Sequence, residues 1–504
     1  MGSVKLGRVL VANRGEIAIR VFRACREAGI GTVAVYSDAD ANAPHTRAAD
    51  QAIRIGTAAP AESYLKAEAI LDAARSTGCD AIHPGYGFLS ENAAFARACQ
   101  EAGVQFIGPT ADTIEMMGSK LGARKLMEAS GVPVVPGLTP DDQTDAGVLA
   151  AVQSVGFPCL VKASAGGGGK GMRTLRSGGE AKEMIAAARR EAMSAFGEET
   201  LYVERLGEQP RHVEIQIFGD NHGNVVHLFE RECSLQLRHQ KVIEESPSVA
   251  VTPTVREAMG AAAVQAARAA KYRNAGTIEF LLEGSGNDAR FYFLEMNTRL
   301  QVEHPVTEAI TGVDLVLAQL AVAAGNPLPW TQAQLSQRGH AIECRVYAED
   351  PSAGFLPQAG PLLLYREPAG PGIRVDAGVA EGGEVSVTYD PLLAKLTVAA
   401  ESRALAVDRA IVALRNFAVL GIRTNIPFMI RLLDHPAVRQ GAIHTGFIDE
   451  HLEELTAAAV IPAAAVAAAA LGSAAPSAHR TNGGAALRTD INADPWAGLN
   501  GWGR

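Results

Sequence analysis

The sequence lacks the paired cysteines of a disulfide-stabilised or zinc-binding protein. Its 504 residues include six cysteines, which are scattered along the chain and form no Cys-x-x-Cys pair. Isolated cysteines of this kind favour reduced thiols and a cytosolic setting over a disulfide framework. We expect Cys233, in the stretch ERECSLQ, to be buried and inert, because nothing in the sequence indicates a lowered thiol pKa.

The sequence also lacks an excess of positive charge and any long apolar run. A formal net charge of −9 argues against nucleic-acid binding, which usually needs a basic face. The apolar run VLVA near the N-terminus is too short for the core of a secretory signal. The alanine-rich run at 457–472 contains Pro462 and is shorter than the ~20 residues of a transmembrane helix. We therefore expect neither nucleic-acid binding nor a membrane anchor.

Two common nucleotide-binding signatures are absent as well. The stretch KASAGGGGKGMR, from Lys162 to Arg173, places Gly171 and Met172 where a Walker motif needs Ser or Thr after its lysine. The stretch ANRGEIA lacks the G-x-G-x-x-G pattern of a dinucleotide fold. Strand-like segments flank the glycines. Glycine destabilises the interior of a helix or strand, so a run of glycines indicates a backbone that must approach another group closely. The stretch predicts a hairpin flap that folds over a charged ligand.

What is present indicates a globular chain of several domains, with 47% hydrophobic and 20% charged residues. Short apolar runs alternate with amphipathic helices over 1–114, which predicts an open parallel α/β sheet. Residues 115–334 combine the flap region, at about 134–206, with the period-two strands of an antiparallel sheet. A mixed region follows at 335–450, and 451–504 has the composition of a linker. The predicted fold class is therefore α/β combined with α+β.

Two carboxylates interrupt strands that are otherwise apolar. Glu279 lies in TIEFLLEG, and Glu295 and Asn297 lie in FYFLEMN. Side chains alternate along a strand, so Glu295 and Asn297 share a face, and a hairpin would place Glu279 beside them. Oxygen ligands of this kind suit Mg²⁺ or Mn²⁺ bound to nucleotide phosphates. The alternative is that these glutamates face solvent, but the apolar neighbours favour a metal site.

The next stretch, TRLQVEHPVTE, continues the polar alternation. Arg299, Gln301 and Glu303 are in phase with Glu295 and Asn297, as if one polar strand face extended further. An arginine and a glutamate near a metal–phosphate site could stabilise an oxyanion and move a proton. A purely structural Arg–Glu pair is the alternative, and taken alone it would be the better interpretation.

Basic residues follow a pattern of their own. They lie at the ends of predicted elements or in charged loops, and they are Lys120, Lys162, His212, His239 and Lys241. A polyphosphate ligand needs several cations, because charge-assisted hydrogen bonds to phosphate are the strong ones. Any single basic residue could simply be solvated, but five basic residues alongside a predicted metal site favour a phosphate-binding cleft.

Several long stretches together resemble biotin carboxylase, a family of the ATP-grasp superfamily. In chain order they are ANRGEIAIR, HPGYGFLSEN, IGP, KASAGGGGKGMR, PRHVEIQ, RHQKVIEE, EMNTRLQVEHPVTE and GHAIECRVYAEDP. The resemblance extends from about residue 5 to about residue 450. It implies an ATP-grasp fold in which the glycine-rich lid closes over ATP, with Ala165 standing where many relatives carry another glycine.

The resemblance also implies roles for individual residues. The implied nucleotide-binding residues are Lys120, Lys162, Gly168, Gly169, Glu204, Arg205, Leu206, Gly207, His212, Gln236, His239, Glu279 and Glu295. The implied metal ligands are Glu279, Glu295 and Asn297, and the implied bicarbonate and biotin contacts are Lys241, Arg299, Gln301, Val302 and Arg345. Among these, the resemblance assigns the catalytic roles to Lys241, Arg299 and Glu303, with Glu303 as general base and Arg299 facing the carboxylated ring.

The implied activity is the carboxylation of biotin on a carrier, with ATP and bicarbonate reacting through carboxyphosphate. The implied cofactors are ATP, two divalent ions (Mg²⁺ or Mn²⁺) and biotin. We expect biotin to arrive on another domain or chain, because the Met-Lys-Met turn that would carry it does not occur in this sequence. The C-terminal stretch, in which IHTGFIDEHL is followed by an alanine-rich linker and DPWAGLNGW, resembles acyl-CoA carboxylase α-subunits. We therefore expect a carboxyltransferase partner and either a homodimer or a larger complex.

Other interpretations of the sequence stay open. The chain could belong to a pyruvate or urea carboxylase instead of an acyl-CoA carboxylase. A different ATP-grasp ligase would share the flap and the metal carboxylates, although it would not need TRLQVEHPVTE. A non-catalytic nucleotide-sensing protein would keep the fold but not the turnover, and intact Glu279, Glu295, Arg299 and Glu303 argue against it.

Overall fold

We describe residues 6–164 and 171–457, together with 463, 464, 466 and 467, in a computed structural model of the chain. Gly168, Gly169 and most of the predicted linker lie outside the described residues. The described residues up to Thr456 belong to one compact unit. In the second unit, which begins at Ala457, residues 463, 464, 466 and 467 are helical.

The first region is the predicted open parallel sheet, in the strand order β3-β2-β1-β4-β5. Its strands are β1 (Arg8–Val11), β2 (Gly31–Ser37), β3 (Gln51–Gly56), β4 (Ala81–His83) and β5 (Gln105–Phe106), and its helices are α1 (Gly15–Glu27), α2 (Pro44–Ala48), α3 (Ala67–Ser76), α4 (Ala93–Glu101) and α5 (Ala111–Gly118). Successive residues of β1 point into apolar cores on opposite faces, which explains why the strand is apolar throughout.

A small antiparallel sheet and two helices form the flap region. Its elements, after helix α6 (Lys120–Ala129), are β6 (Gly137–Leu138), α7 (Asp145–Val155), β7 (Cys159–Ala163), β8 (Met172–Leu175), α8 (Ala181–Phe196) and β9 (Leu201–Arg205). The strand order is β6-β9-β7-β8, and α7 and α8 pack on the sheet through their own apolar core. Strands β7 and β8 are antiparallel neighbours with Lys162 opposite Met172, so the predicted hairpin is confirmed.

The remaining elements are built around one long antiparallel sheet. They are β10 (Arg211–Gly219), β11 (Val225–Leu237), β12 (Gln240–Ser246), α9 (Pro253–Ala269), β13 (Asn274–Glu283), β14 (Arg290–Asn297), α10 (His304–Thr311), α11 (Leu315–Ala323), β15 (His340–Tyr347), β16 (Glu349–Asp350), β17 (Leu356–Pro357), β18 (Gly360–Pro361), β19 (Leu364–Arg366), β20 (Ile373–Ala377), β21 (Glu384–Val385), β22 (Leu392–Ala400), α12 (Arg403–Asn416), β23 (Ala418–Leu420), α13 (Ile426–Asp434), α14 (Pro436–Gln440), α15 (Phe447–Glu450) and α16 (Leu452–Thr456). Eight of these strands form the sheet, in the order β14-β13-β10-β11-β12-β15-β22-β20.

This sheet crosses the predicted boundary between regions near residue 335. Strand β12 pairs with β15, so β15, β22 and β20 continue the central sheet instead of forming one of their own. One face of β15 and β22 is apolar and packs under α12 and α13. The other face carries Glu343, Arg345, Lys395 and Thr397, all buried, because α10 packs against β15 and β22. A buried polar layer therefore lies beside the end of β12.

Helices α1 and α11 join the two large sheets through a shared core that includes Val9, Phe218 and Ala275. No single helix among the described residues is long and apolar enough to cross a bilayer. The bent pair α10 and α11 meets the length and hydropathy criteria only when its two helices are taken together, and both are largely buried.

Candidate active site

A cleft of about 650 Å³ opens between the flap sheet and strands β12 to β14. It brings together almost all of the site residues that the sequence predicts. Those that line it are Lys120, Lys162, Glu204, Arg205, Leu206, Gly207, His212, Gln236, His239, Lys241, Glu279, Glu295, Asn297, Arg299, Gln301, Val302 and Arg345. Glu303 is the exception among described residues: it is fully buried directly behind the cleft wall. Gly168 and Gly169 lie outside the described residues.

Strands β13 and β14 form the predicted hairpin. Glu279 lies directly opposite Glu295, and Thr277 lies opposite Asn297. The apolar neighbours Ile278, Phe280 and Met296 point into the core on the other face. The pairing explains why carboxylates occur on apolar strands: the sheet faces the core on one side and the cleft on the other.

The two carboxylates are in different electrostatic environments. Lys241 Nζ donates to Glu279 Oε1 at 3.0 Å, and His212 Nε2 lies 3.0 Å from Glu279 Oε2. Burial raises the pKa of Glu279, but Lys241 and His212 outweigh it and hold the pKa below the usual range. Burial and the neighbouring Glu279 carboxylate raise the pKa of Glu295. Among the described residues no side chain donates a hydrogen bond to Glu295, so its charge lacks a close partner there.

This arrangement fits a divalent cation. Two carboxylates on paired positions would repel each other if both were ionised without a cation between them. A hard cation with oxygen ligands would neutralise the pair. Asn297 can contribute an amide oxygen, although here Asn297 Oδ1 accepts a hydrogen bond from Arg299 Nη2 at 3.2 Å, and Asn297 Nδ2 is buried without a described partner.

Lys241 is the centre of a buried group of charges. Its Nζ donates to Glu214 Oε2 at 2.7 Å and to Glu303 Oε1 at 2.6 Å, in addition to Glu279. Glu214 and Glu303 are fully buried. Three carboxylates around one ammonium leave an excess of negative charge, which Arg231 reduces by pairing with Glu214. Lys241 therefore connects the predicted metal site to the predicted general base.

Glu303 is held from two sides. Its Oε1 accepts from Lys241, and its Oε2 accepts from Arg345 Nη2 at 2.9 Å. Burial alone would raise the pKa of Glu303, but Lys241, Arg345 and Arg231 hold it well below the usual range. Glu303 is therefore an ionised carboxylate that can accept a proton, and its basicity depends on how firmly these cations hold it.

Strand β14 ends at Asn297, so the expectation that Arg299, Gln301 and Glu303 continue one strand face is wrong. Glu303 instead occupies the position just before the first turn of α10. Arg299 turns back to Asn297 and Gln301, with Nη1 donating to Gln301 Oε1 at 3.1 Å. The polar residues still reach one site, because the loop folds over the end of the sheet.

The phosphate-binding candidates are also paired. Lys162 Nζ donates to Glu204 Oε2 at 2.5 Å, and Arg124 Nη1 donates to Glu204 Oε1 at 2.8 Å. Arg205 Nη2 donates to Glu283 Oε2 at 2.7 Å. A polyphosphate entering the cleft would compete with Glu204 and Glu283 for these cations, because phosphate and carboxylate oxygens accept hydrogen bonds from the same donors.

Several contributors to the site were not predicted. Glu91, far away in sequence, accepts from Arg299 Nε at 2.8 Å, and Glu244 accepts from Arg345 Nε at 2.5 Å. Glu214 could have been found from its position, since it shares one strand face with His212 and Gln216 in HVEIQIF, where the residues between them are apolar. Glu91 lies in the motif HPGYGFLSEN, but its contact with Arg299 could not be predicted, because only the tertiary fold brings its loop to Arg299.

Cys233 is fully buried, and burial raises the pKa of its thiol well above the usual range. A thiol of this kind stays protonated and does not act as a nucleophile. All six cysteines are buried and free of disulfides. The expectation of an inert Cys233 is confirmed.

The polar layer predicts a pH dependence of stability. Burial raises the pKa of Glu343 to about 8, with Lys395 opposing and Glu244 adding to the shift. Folded Glu343 keeps a proton that an unfolded chain releases above its ordinary pKa of ~4.3, so raising the pH weakens the fold. Glu343→Gln cannot titrate, and its melting temperature relative to the parent should increase from pH 6 to pH 8. A difference that does not vary with pH would contradict this ionisation.

Most of the chain matches models of known protein families. Residues 5–114 match the family described as biotin carboxylase, N-terminal domain, and residues 343–450 match biotin carboxylase C-terminal domain. Residues 119–331 match carbamoyl-phosphate synthase L chain, ATP binding domain. The three matches follow one another along the chain, in the order that the resemblance of its motifs predicts.

Individual relatives agree with these matches. A biotin carboxylase of Halalkalibacterium halodurans is 50% identical over 451 residues, which cover 89% of this chain and 98% of that protein. The mitochondrial α-subunit of methylcrotonoyl-CoA carboxylase from Mus musculus is 49% identical, and the matched part covers 89% of this chain but only 62% of that protein. A biotin carboxylase of Nostoc is 49% identical, with 89% of this chain and 99% of that protein covered.

A relative from a different carboxylase is equally similar. One of the subunits of pyruvate carboxylase from Methanothermobacter thermautotrophicus is 51% identical over 445 residues, which cover 88% of this chain and 90% of that protein. Sequence identity therefore does not separate the types of carboxylase.

A solved structure has the same fold. The biotin carboxylase domain dimer of Hydrogenobacter thermophilus 2-oxoglutarate carboxylase, in complex with MgADP, ADP and bicarbonate, superposes with a TM-score of 0.86. The identity is 45%, and the match covers 90% of this chain and 99% of that one. Half of the aligned residues are shared with a biotin carboxylase matched over nearly its whole length, and the cleft collects the residues expected from the motifs. This chain belongs to the biotin carboxylase family of ATP-dependent ligases.

Proposed function

We propose that the protein carboxylates biotin on a carrier, using ATP and bicarbonate. The observation that carries the proposal is the position of Glu303, buried between Lys241 and Arg345 and linked through Lys241 to the carboxylate pair on β13 and β14. A base, an anion-binding cation and a metal–phosphate site meet within one group of contacts. Phosphorylation of bicarbonate by ATP requires all three.

The first step is the attack of bicarbonate on the γ-phosphorus of ATP. Glu303 accepts the bicarbonate proton, the new P–O bond forms carboxyphosphate, and ADP leaves. Glu279, Glu295 and Asn297 would hold one or two divalent ions, which supply charge neutralisation to the phosphates. Lys120, Lys162 and His212 would add cationic contacts to the polyphosphate.

The ion pairs of Glu303 determine when it acts as a base. Lys241 and Arg345 lower its pKa in the structure. An anion entering the cleft would draw both cations toward itself, which weakens their hold on Glu303 and raises its proton affinity. Glu303 would thus become more basic when bicarbonate is present beside it.

Arg299 is placed to act in the second half of the reaction. Carboxyphosphate breaks into CO₂ and phosphate, the phosphate removes the proton from the biotin ureido nitrogen, and that nitrogen attacks CO₂. The ureido oxygen carries negative charge while this happens. The Arg299 guanidinium, oriented by Glu91 and Gln301, would stabilise that charge.

We propose that the protein is the biotin carboxylase component of an acyl-CoA carboxylase that works in the cytosol. The support is the similarity to the α-subunit of a methylcrotonoyl-CoA carboxylase, of which this chain spans 62%. The pyruvate carboxylase relative is similarly close, so the acceptor needs its own test. The partners would be a biotin carrier and a carboxyltransferase, and the assembly a homodimer or a larger complex.

The test is ADP release by the purified chain with ATP and Mg²⁺, with and without bicarbonate and free biotin. We expect release to require bicarbonate and to increase when biotin is added. An ATP-grasp ligase with another acceptor would not respond to biotin, and a nucleotide-sensing protein would bind ATP without releasing ADP. Either of those results would overturn the proposal.

A further inference from the structure

Glu303 is fixed by its backbone as well as by its carboxylate. The carbonyl of Val302 belongs to the same peptide plane as the Glu303 amide, and Lys395 Nζ donates to this carbonyl at 2.7 Å. One residue earlier, the carbonyl of Gln301 lies 2.8 Å from His304 Nδ1. A carbonyl only accepts hydrogen bonds, so Nδ1 must be the protonated nitrogen of His304. Two buried side chains therefore hold consecutive peptide groups before Glu303.

Lys395 belongs to the same strand pair as Arg345. In the register of β15 and β22 the two residues are directly opposite each other, so their side chains share a face. Arg345 binds the carboxylate of Glu303 and Lys395 binds the peptide that precedes it. One cross-strand pair thus binds both the carboxylate of Glu303 and the peptide group that precedes it.

Lys395 is an unusual residue for a purely structural position. Its side chain has no exposed surface, and it does not line the cleft. A buried ammonium is costly unless a nearby charge compensates it. The compensation comes from Glu16 of α1, whose Oε1 lies 3.2 Å from Lys395 Nζ and accepts from the hydroxyl of Tyr86. Asp376, opposite Lys395 on β20, adds a second negative charge.

These contacts involve two motifs that the nucleotide and metal sites leave unused. Glu16 lies in ANRGEIAIR and Tyr86 lies in HPGYGFLSEN, both in the first region of the chain. Their side chains reach the interior beneath the cleft, where the Glu16 carboxylate pairs with Lys395 and the Tyr86 hydroxyl donates to Glu16. The motifs therefore connect the N-terminal sheet to the peptide that carries Glu303.

We propose that Lys395 is a positioning residue for the reaction: it holds the Val302–Glu303 peptide so that the Glu303 carboxylate faces bicarbonate. The inference rests on the proposed function, since Glu303 is the base only in that reaction. Lys395 itself touches neither substrate nor cofactor. Its loss should misplace the base and leave the ATP site, on the other side of the cleft, as it is.

The test compares Glu16→Gln with Glu16→Gln/Lys395→Met. Both variants lack the ion pair with Glu16, so neither leaves an unpaired Glu16. In Glu16→Gln the carboxylate of Asp376 still faces Lys395, and only the double variant lacks the donor to Val302. We expect the double variant to lose ~10–100-fold in kcat/KM for bicarbonate relative to Glu16→Gln, as small displacements of catalytic groups do. The KM for ATP and the melting temperature should be similar in the two variants.

Equal kcat/KM for bicarbonate in the two variants, with the parent active, would overturn the role of Lys395. A parallel loss in kcat/KM for ATP and in melting temperature would also overturn it, because that pattern describes general loosening of the fold. A parent without bicarbonate-dependent ADP release would instead contradict the proposed function. If the double variant does not fold, Lys395→Gln, which keeps an amide donor, should retain more bicarbonate activity than Lys395→Met at equal stability.

Discussion

Replacing Glu303 by glutamine should lower bicarbonate-dependent ADP release at least ~100-fold, the usual contribution of a general base. Glutamine is nearly isosteric and its amide oxygen can still accept from one of the two cations, Lys241 or Arg345, but it cannot take the proton of bicarbonate. The affinity for ATP should stay close to that of the parent, since Glu303 lies behind the cleft wall and not on it. Steady-state kinetics and nucleotide titration measure the two effects separately.

Glu257→Gln is the matched control, because Glu257 is exposed on α9 and the substitution removes the same charge. The control should keep the parent's kinetics. Glu303→Gln with a melting temperature near the parent's and undiminished turnover would show that another group removes the proton. A loss of ATP affinity equal to the loss of turnover would show that Glu303 serves nucleotide binding instead.

Replacing Glu295 by glutamine should strongly weaken the binding of the divalent cation. Glu295 forms no hydrogen bond or ion pair with the described side chains, although the charge of Lys120 acts on it, so a divalent ion is the close partner that its carboxylate lacks. Removing one carboxylate from the pair should raise the Mg²⁺ concentration needed for half-maximal ADP release by ~10-fold or more and lower the maximal rate, as the loss of a charged ligand does. Titration of activity with Mg²⁺ at saturating ATP gives both values.

Asp288→Asn provides the comparison for this variant. Asp288 is exposed in the turn between β13 and β14, so the substitution removes one negative charge from the same hairpin away from the cleft. Its Mg²⁺ dependence should match the parent's. An unchanged Mg²⁺ requirement in Glu295→Gln would remove Glu295 from the metal site.

The part of the site that sequence predicted best is the hairpin with Glu279 and Glu295. Both residues lie on strands whose other side chains are apolar, and period-two alternation fixes which of them share a face. The parallel first region was predictable for the same reason, since alternating strand and helix patterns are local. In both cases the information lies within a few residues of the position concerned.

The charged layer around Glu303 was not predictable in this way. Lys241 and Glu303 are 62 residues apart, and Lys395 reaches the peptide of Val302 over 93 residues. The continuous sheet from β14 to β20 also depends on pairing between distant strands, which the predicted boundary near residue 335 did not anticipate. Which buried charges meet is decided by strand order, and strand order is a property of the whole fold.

The clearest test of the cation site is a crystal structure with Mn²⁺ and a non-hydrolysable ATP analogue, in which anomalous scattering locates the ion. We expect the ion between Glu279 and Glu295, coordinated by their oxygens and by the analogue's phosphates, with His212 and Lys241 released from Glu279 toward the anions. An ion held only by water and phosphate, while Glu279 keeps its contacts with His212 and Lys241, would contradict the assignment of the hairpin as the metal site.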